Sequence, residues 1–313
     1  MIQVENLTKY YGQTPAIKGL TFTVEKGEIL GFLGPNGAGK TTTMRILSCF
    51  MPASKGKAKV AGFDVFEDSL EVRKRVGYQP ENVPLYNDMS TSAYLSFVAE
   101  IKGVHRKERK RNIEKVMDEC GITDKSHKLI GKLSKGYRQR IGIAQALIND
   151  PDVLILDEPT IGLDPRQIKE IRGLIKNLAG KRTIILSTHI LPEASMICQR
   201  VIIINEGRLV AVDTPDNLAM SFQKASRVLL EIEGPPEDIM KEMKGIDGVV
   251  NIEKKDPVSE GTFSYFVDST LARDVRKDLF TTISKNGWIL TQMRTMDMTL
   301  EDIFLKLVTE EKA

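Results

Sequence analysis

Three stretches of this sequence carry side chains whose types and spacing suit phosphate chemistry. The first is Gly34-Pro35-Asn36-Gly37-Ala38-Gly39-Lys40-Thr41-Thr42, which directly follows the apolar run Ile29-Leu30-Gly31-Phe32-Leu33. Glycines let such a loop turn tightly and bring backbone N–H groups around phosphate oxygens with no side chain in the way. The helix that must follow adds the positive end of its dipole. Lys40 then reaches the terminal phosphates of a nucleotide, and the Thr41 hydroxyl is placed to ligate Mg2+. The second stretch is Asp157-Glu158, closing the run Val153-Leu154-Ile155-Leu156. Neighbouring carboxylates disfavour each other's charge, so a cation is expected beside them. Alternation along a strand gives them different faces and therefore different work. Asp157 suits the Mg2+ shell, and Glu158 suits orienting or deprotonating an attacking water. The third stretch is Leu186-Ser187-Thr188-His189, whose histidine stands at a strand end, where ligands gather in open parallel sheets.

The elements that must position these residues are legible in the apolar pattern. Ile29–Leu33, Val153–Leu156, Thr183–Leu186 and Val201–Ile204 are apolar with little alternation, as strands covered on both faces are. They predict an α/β core built on a largely parallel sheet. Between the first two runs, a polar, helix-favouring stretch from about Thr91 to Asp150 places Ile113, Val116 and Met117 at helical spacing. It predicts a helical subdomain inserted at about residues 85–150.

After about Ser221 the pattern changes, giving a division into domains 1–220 and 221–313. The second domain reads as strand Arg227–Glu233, helix Glu237–Met243, strands Val249–Lys254 and Thr262–Val267, helix Leu271–Ser284 and strand Trp288–Met293. That order is the split βαβ arrangement of an α+β, ferredoxin-like domain. A terminal amphipathic segment, Thr299–Val308, carries Leu300, Ile303, Phe304 and Leu307 on one face, expected to pack on protein because its polar face is not rich in Lys or Arg.

Composition narrows the setting. The chain has 313 residues with a formal net charge of +3, and its charges are interspersed, so nothing resembles a nucleic-acid footprint. Its three cysteines, Cys49, Cys120 and Cys198, are scattered without metal-ligand spacing and suit a reducing compartment. No secretory start and no apolar run of ~20 residues is present, which predicts a cytoplasmic location with any membrane role peripheral.

The set of motifs resembles the ABC ATPase family. Leu133-Ser134-Lys135-Gly136-Tyr137-Arg138-Gln139-Arg140 looks like the ABC signature and opens a helix expected near Tyr137. The glycine loop, the acids at 157 and 158, Gly162-Leu163-Asp164 as the D-loop and His189 as the switch histidine stand in family order over roughly residues 1–215. The resemblance implies a Mg2+-dependent ATPase with Glu158 and His189 as catalytic residues and Tyr11 stacked on adenine. It also implies a head-to-tail homodimer, each ATP lying between the Lys40 loop of one copy and Ser134, Gly136 and Asp164 of the other.

Departures from the family pattern are specific. In Gly77-Tyr78-Gln79-Pro80-Glu81, Glu81 stands where a glutamine is customary, and it is assigned to the metal in preference to Gln79. Lys135 and Tyr137 replace the commoner glycine and glutamine of the signature. The spellings Tyr78-Gln79-Pro80-Glu81 and Pro84-Leu85-Tyr86 resemble the ABC-2 type exporter branch, including multidrug, sodium-export and gliding-motility ATPases. That branch implies docking on a separate ABC-2 type permease. A soluble ABC ATPase and an importer ATPase are the competing readings; the single cassette and the lack of a long coiled-coil insertion weigh against the first, and the helices read at Leu271–Ser284 and Thr299–Val308 against the second.

Overall fold

The computed structural model describes residues 1–222, 225–259, 261–270 and 274–296. They form two compact units, Met1–Pro215 and Asp216–Ala313.

The first unit opens with the antiparallel pair β1 (Ile2–Tyr11) and β2 (Thr14–Val24). β3 (Ile29–Leu33) is buried along its whole length and leads through the glycine loop into α1 (Lys40–Leu47). β4 (Lys55–Val60), β5 (Phe63–Asp64), α2 (Ser69–Arg75) and β6 (Val76–Gln79) follow. The helical region is α3 (Thr91–Ile101), α4 (Arg106–Glu119) and α5 (Lys135–Leu147). The chain then alternates β7 (Val153–Asp157), α6 (Pro165–Leu178), β8 (Thr183–Thr188), α7 (Leu191–Ile197), β9 (Arg200–Asn205) and β10 (Arg208–Asp213).

The main sheet has the order β10-β9-β3-β8-β7-β6, parallel from β9 to β6 with β10 antiparallel at the edge. This is an open, largely parallel α/β core carrying a helical subdomain. Because β8 lies between β3 and β7, the segments leaving the carboxyl ends of these three strands are neighbours. Those segments are the glycine loop, the acidic pair and His189, so topology alone gathers the residues singled out by chemistry. The second sheet, β2-β1-β4-β5, shares an apolar core with it that includes Val4, Leu20, Phe22, Phe32 and Met44.

Local caps fix the helical region. The Ser90 hydroxyl accepts from Ala93 N at 3.3 Å at the start of α3, a contact of the kind worth ~1 kcal/mol. Val116 and Met117 of α4 are buried, as their spacing predicts. The signature helix differs from expectation: α5 begins at Lys135, not near Tyr137, with Ser134 as its N-cap at φ −62° and ψ 161°. Glycine is costly in a helix interior but not in a first turn, so Gly136 does not delay the start.

In the second unit, α8 (Pro215–Phe222) lies at the division. It is followed by β11 (Ala225–Glu233), α9 (Pro236–Lys244), β12 (Val249–Ser259), β13 (Thr262–Thr270), α10 (Arg276–Lys285) and β14 (Ile289–Met296). The sheet order is β12-β13-β11-β14, antiparallel throughout. Val228, Leu230, Ile232, Tyr265 and Val267 of one sheet face share a core with Ile239, Met243, Leu279 and Ile283 of the two helices. The helix expected from Leu271 instead begins at Arg276, since β13 runs on to Thr270; residues 271–273 and the segment Thr299–Val308 lie outside the described residues. No described helix is long and apolar enough to cross a membrane.

Candidate active site

The glycine loop is held closed by contacts that only small residues permit. A Cβ at Gly34 would lie 2.3 Å from the Ile204 carbonyl oxygen, and Gly39 has φ +105° with Ala16 O 2.6 Å from where a Cβ would stand. Ala38 is buried, its N–H donating to Pro35 O at 3.2 Å. Gly34 and Ala38 therefore shape the loop from behind. Pro35, Asn36, Gly37, Gly39, Lys40, Thr41 and Thr42 instead line a cavity of about 310 Å³. Glu81, Glu158, Ile161 and Ala16 complete its wall.

The cation expected beside the acidic pair is Lys40. Its Nζ donates to Gly34 O at 2.8 Å and Pro35 O at 3.3 Å, and it sits 3.3 Å from Glu158 Oε1 in an ion pair not aligned as a hydrogen bond. Glu158 leaves the end of β7 at φ +48°, a left-handed conformation that costs a non-glycine residue ~1 kcal/mol or more. That turn separates the two carboxylates. Glu158 Oε2 lies 2.9 Å from His189 Nδ1, whereas Asp157 Oδ1 accepts from Thr41 Oγ1 at 3.2 Å and from Ser187 Oγ at 2.5 Å. Burial, chiefly, pushes the Asp157 carboxyl above its ordinary range, and the Glu158 charge adds to this against the hydrogen bonds from Ser187 and Thr41 and the charge of Lys40.

Ser187 escaped the sequence reading. It faces Asp157 in the β7–β8 register, is fully buried, and its hydroxyl also accepts from Glu158 N at 3.0 Å. A hydroxyl interrupting an apolar strand two residues before His189 was the available signal.

The donor set fits a nucleotide with Mg2+. Asp157 Oδ2 is buried without a hydrogen-bond partner next to the Thr41 hydroxyl, and both are the hard oxygen ligands that Mg2+ takes together with phosphate oxygens and water. Among the described residues no group of three or more His, Cys, Asp or Glu side chains is placed to hold a metal alone, so phosphate and water would supply the remaining ligands. Glu81 stands in the cavity wall, while Gln79 is fully buried and its Nε2 donates to Gln139 Oε1 at 2.6 Å, towards the signature helix. Tyr11 stands outside the cavity lining, half exposed, its hydroxyl 3.3 Å from Met51 Sδ.

The signature residues do not join this cavity. Ser134, Gly136 and Asp164 line a second one of about 320 Å³, with Tyr137, Arg166 and Gln167 in its wall. Ser134 makes no side-chain capping bond to its own helix, whereas the Asp164 carboxylate caps α6 by accepting from Gln167 N at 2.9 Å.

A parallel sheet of this order, with a glycine-loop lysine meeting an acidic pair, defines a P-loop ATPase, and comparison with known proteins narrows the class. The family model for ABC transporters matches residues 17–161. The bacitracin transport ATP-binding protein BcrA of Bacillus licheniformis is 35% identical over 310 residues, covering 98% of this chain and 97% of its own. A fluoroquinolones export ATP-binding protein of Mycobacterium tuberculosis is 35% identical over 254 residues, covering 80% of this chain and 83% of its own. A solved structure of an ATP-binding subunit of an ABC transporter is 28% identical with a TM-score of 0.63, covering 71% of this chain and 93% of that one. The chain belongs to the ABC transporter family and is an ATP-binding (ATPase) subunit of it.

Proposed function

We propose that this chain is the motor of an ABC-2 type exporter, closing as a homodimer over ATP and passing that closure to a separate permease at the cytoplasmic face of the membrane. The observation that carries the reading is the separation of two half-sites on one unit. The Lys40 cavity lacks a signature residue, and the Ser134–Gly136 helix start faces a different cavity with its N-terminal N–H groups and Ser134 hydroxyl available to an anion. A second copy turned head to tail brings each half-site to the other's nucleotide. The similarity to a fluoroquinolones export protein supports movement of cargo outward, and the similarity to a bacitracin transport protein supports a role in transport.

In this reading residues 1–220 form the nucleotide-binding domain and residues 221–313 an accessory domain of ferredoxin-like type that contacts its copy in the dimer. Lys40 would hold the β- and γ-phosphates, Thr41, Asp157 and Glu81 would hold Mg2+, and Tyr11 would stack on adenine once the base lies beside β1. Asp164, fixed as a helix cap, keeps the D-loop at the dimer face. Mg2+, when bound, neutralises charge developing on the phosphate oxygens. Glu158 takes a proton from the water whose oxygen attacks the γ-phosphorus, as the bond to the β-phosphate oxygen breaks and ADP departs. His189, in contact with Glu158 Oε2, holds that carboxylate in line. Membrane contact is made through the permease.

Removal of divalent cations tests the chemistry. With excess chelator, phosphate release is expected to fall by about 100-fold or more, because the metal supplies several kcal/mol of transition-state stabilisation. A fluorescent ATP analogue should still bind through the glycine loop and Lys40. Sustained phosphate release in chelator would overturn the assignment of Thr41 and Asp157.

A further inference from the structure

The buried Thr160–Glu193 contact has no part in the mechanism above, yet it joins the two segments that mechanism uses. The Thr160 hydroxyl donates to Glu193 Oε2 at 2.5 Å, and the two residues are 4% and 6% exposed. Thr160 belongs to the tight turn that leaves β7, closed by Ile161 N to Glu158 O at 3.2 Å and Leu163 N to Thr160 O at 3.2 Å. That turn holds Glu158 in its left-handed conformation. Glu193 lies in the first turn of α7, four residues after His189. A carboxylate is an expensive group to bury, and an apolar side chain would pack there more cheaply. A buried carboxylate can instead serve to fix geometry through its hydrogen bond.

We infer that Glu193 is a positioning residue for ATP hydrolysis. Its hydrogen bond from Thr160 sets the spacing between the Glu158 turn and the His189 segment, so that the Glu158–His189 contact of 2.9 Å is made in one geometry. The two contacts are parallel ties across the same junction. With the buried tie cut, the carboxylate that must face the attacking water is held from one side only. The inference rests on the reading of Glu158 as the catalytic base.

The test is steady-state ATP turnover by the full-length chain, with thermal melts alongside. Cutting the tie with Glu193→Ala or Thr160→Val is expected to lower kcat by about 10–100-fold, the scale of a misplaced catalytic group. KM for ATP should stay within roughly twofold, because ground-state binding through the Lys40 loop is untouched. Glu193→Gln keeps an acceptor for the Thr160 hydroxyl and should recover most of kcat. Combining Thr160→Val with Glu193→Ala should cost little more than either alone, since both remove one contact. Thr160→Val is nearly isosteric and decides the matter if Glu193→Ala fails to fold. Wild-type kcat in Thr160→Val, a loss that appears in KM instead of kcat, or failure of Glu193→Gln to recover would each overturn the inference. Glu158→Gln measured in parallel separates the two levels: full turnover there overturns the reading of the base itself, whereas a loss there with unchanged Thr160→Val overturns only the role of Glu193.

Discussion

Glu158→Gln is expected to lower ATP turnover by ~10²–10⁴-fold, the range a positioned general base supplies, while ATP binding stays within a few-fold of wild type. The substitution preserves shape and can keep a hydrogen bond to His189, now 2.9 Å from Oε2, but the amide cannot accept the water proton. Asp157, the adjacent acid, does not substitute for it. Its Oδ1 is engaged by Thr41 and Ser187, and the turn at φ +48° aims Glu158 elsewhere. Phosphate release under single-turnover conditions, beside nucleotide-binding titrations, checks both halves. Turnover within about threefold of wild type would move the base to another group.

Lys40→Ala is expected to weaken ATP binding by about 100-fold or more, the loss of one or two charge-assisted hydrogen bonds to phosphate. It should also alter the protein without nucleotide. Lys40 and Glu158 are 6% and 5% exposed, so removing the cation leaves a buried carboxylate without its ion pair. Breaking a buried pair costs about 3–5 kcal/mol, and the remaining His189 contact puts this one at the lower end. The double variant Lys40→Ala with Glu158→Gln removes the stranded charge and should regain most of the melting temperature, but not the affinity. Calorimetric melts and binding titrations on the three proteins check this. An unchanged melting temperature in Lys40→Ala would mean that the pair adds nothing to the fold.

How much of this was legible in advance depended on whether the information is local. The buried strands announce themselves because both of their faces are covered, and the glycine loop because its geometry excludes most other residues. The meeting of Lys40 with Glu158 was foreseen only as a need for positive charge beside two acids. The partner of Asp157 was not foreseen, because it required knowing that β7 and β8 are neighbours in a register that sets Ser187 opposite Asp157. Thr160 and Glu193 lie 33 positions apart and look like ordinary surface residues in sequence; only the fold turns them towards each other. Glu158 was placed by strand alternation, whereas a left-handed turn after the strand is what separates it from Asp157. In the second unit the element order was visible, but the neighbour relations of β12-β13-β11-β14 rest on pairing between strands distant in sequence.

In the proposed mechanism each ATP is completed by a second copy of the chain. The most direct test is the oligomeric state of Glu158→Gln with Mg2+ and ATP by light scattering, beside wild type and Lys40→Ala. Glu158→Gln, which binds ATP and hydrolyses it only slowly, is expected to accumulate as an ATP-dependent dimer, and Lys40→Ala to stay monomeric under the same conditions. Glu158→Gln that binds ATP and remains a monomer, both alone and with the proposed permease partner, would contradict it.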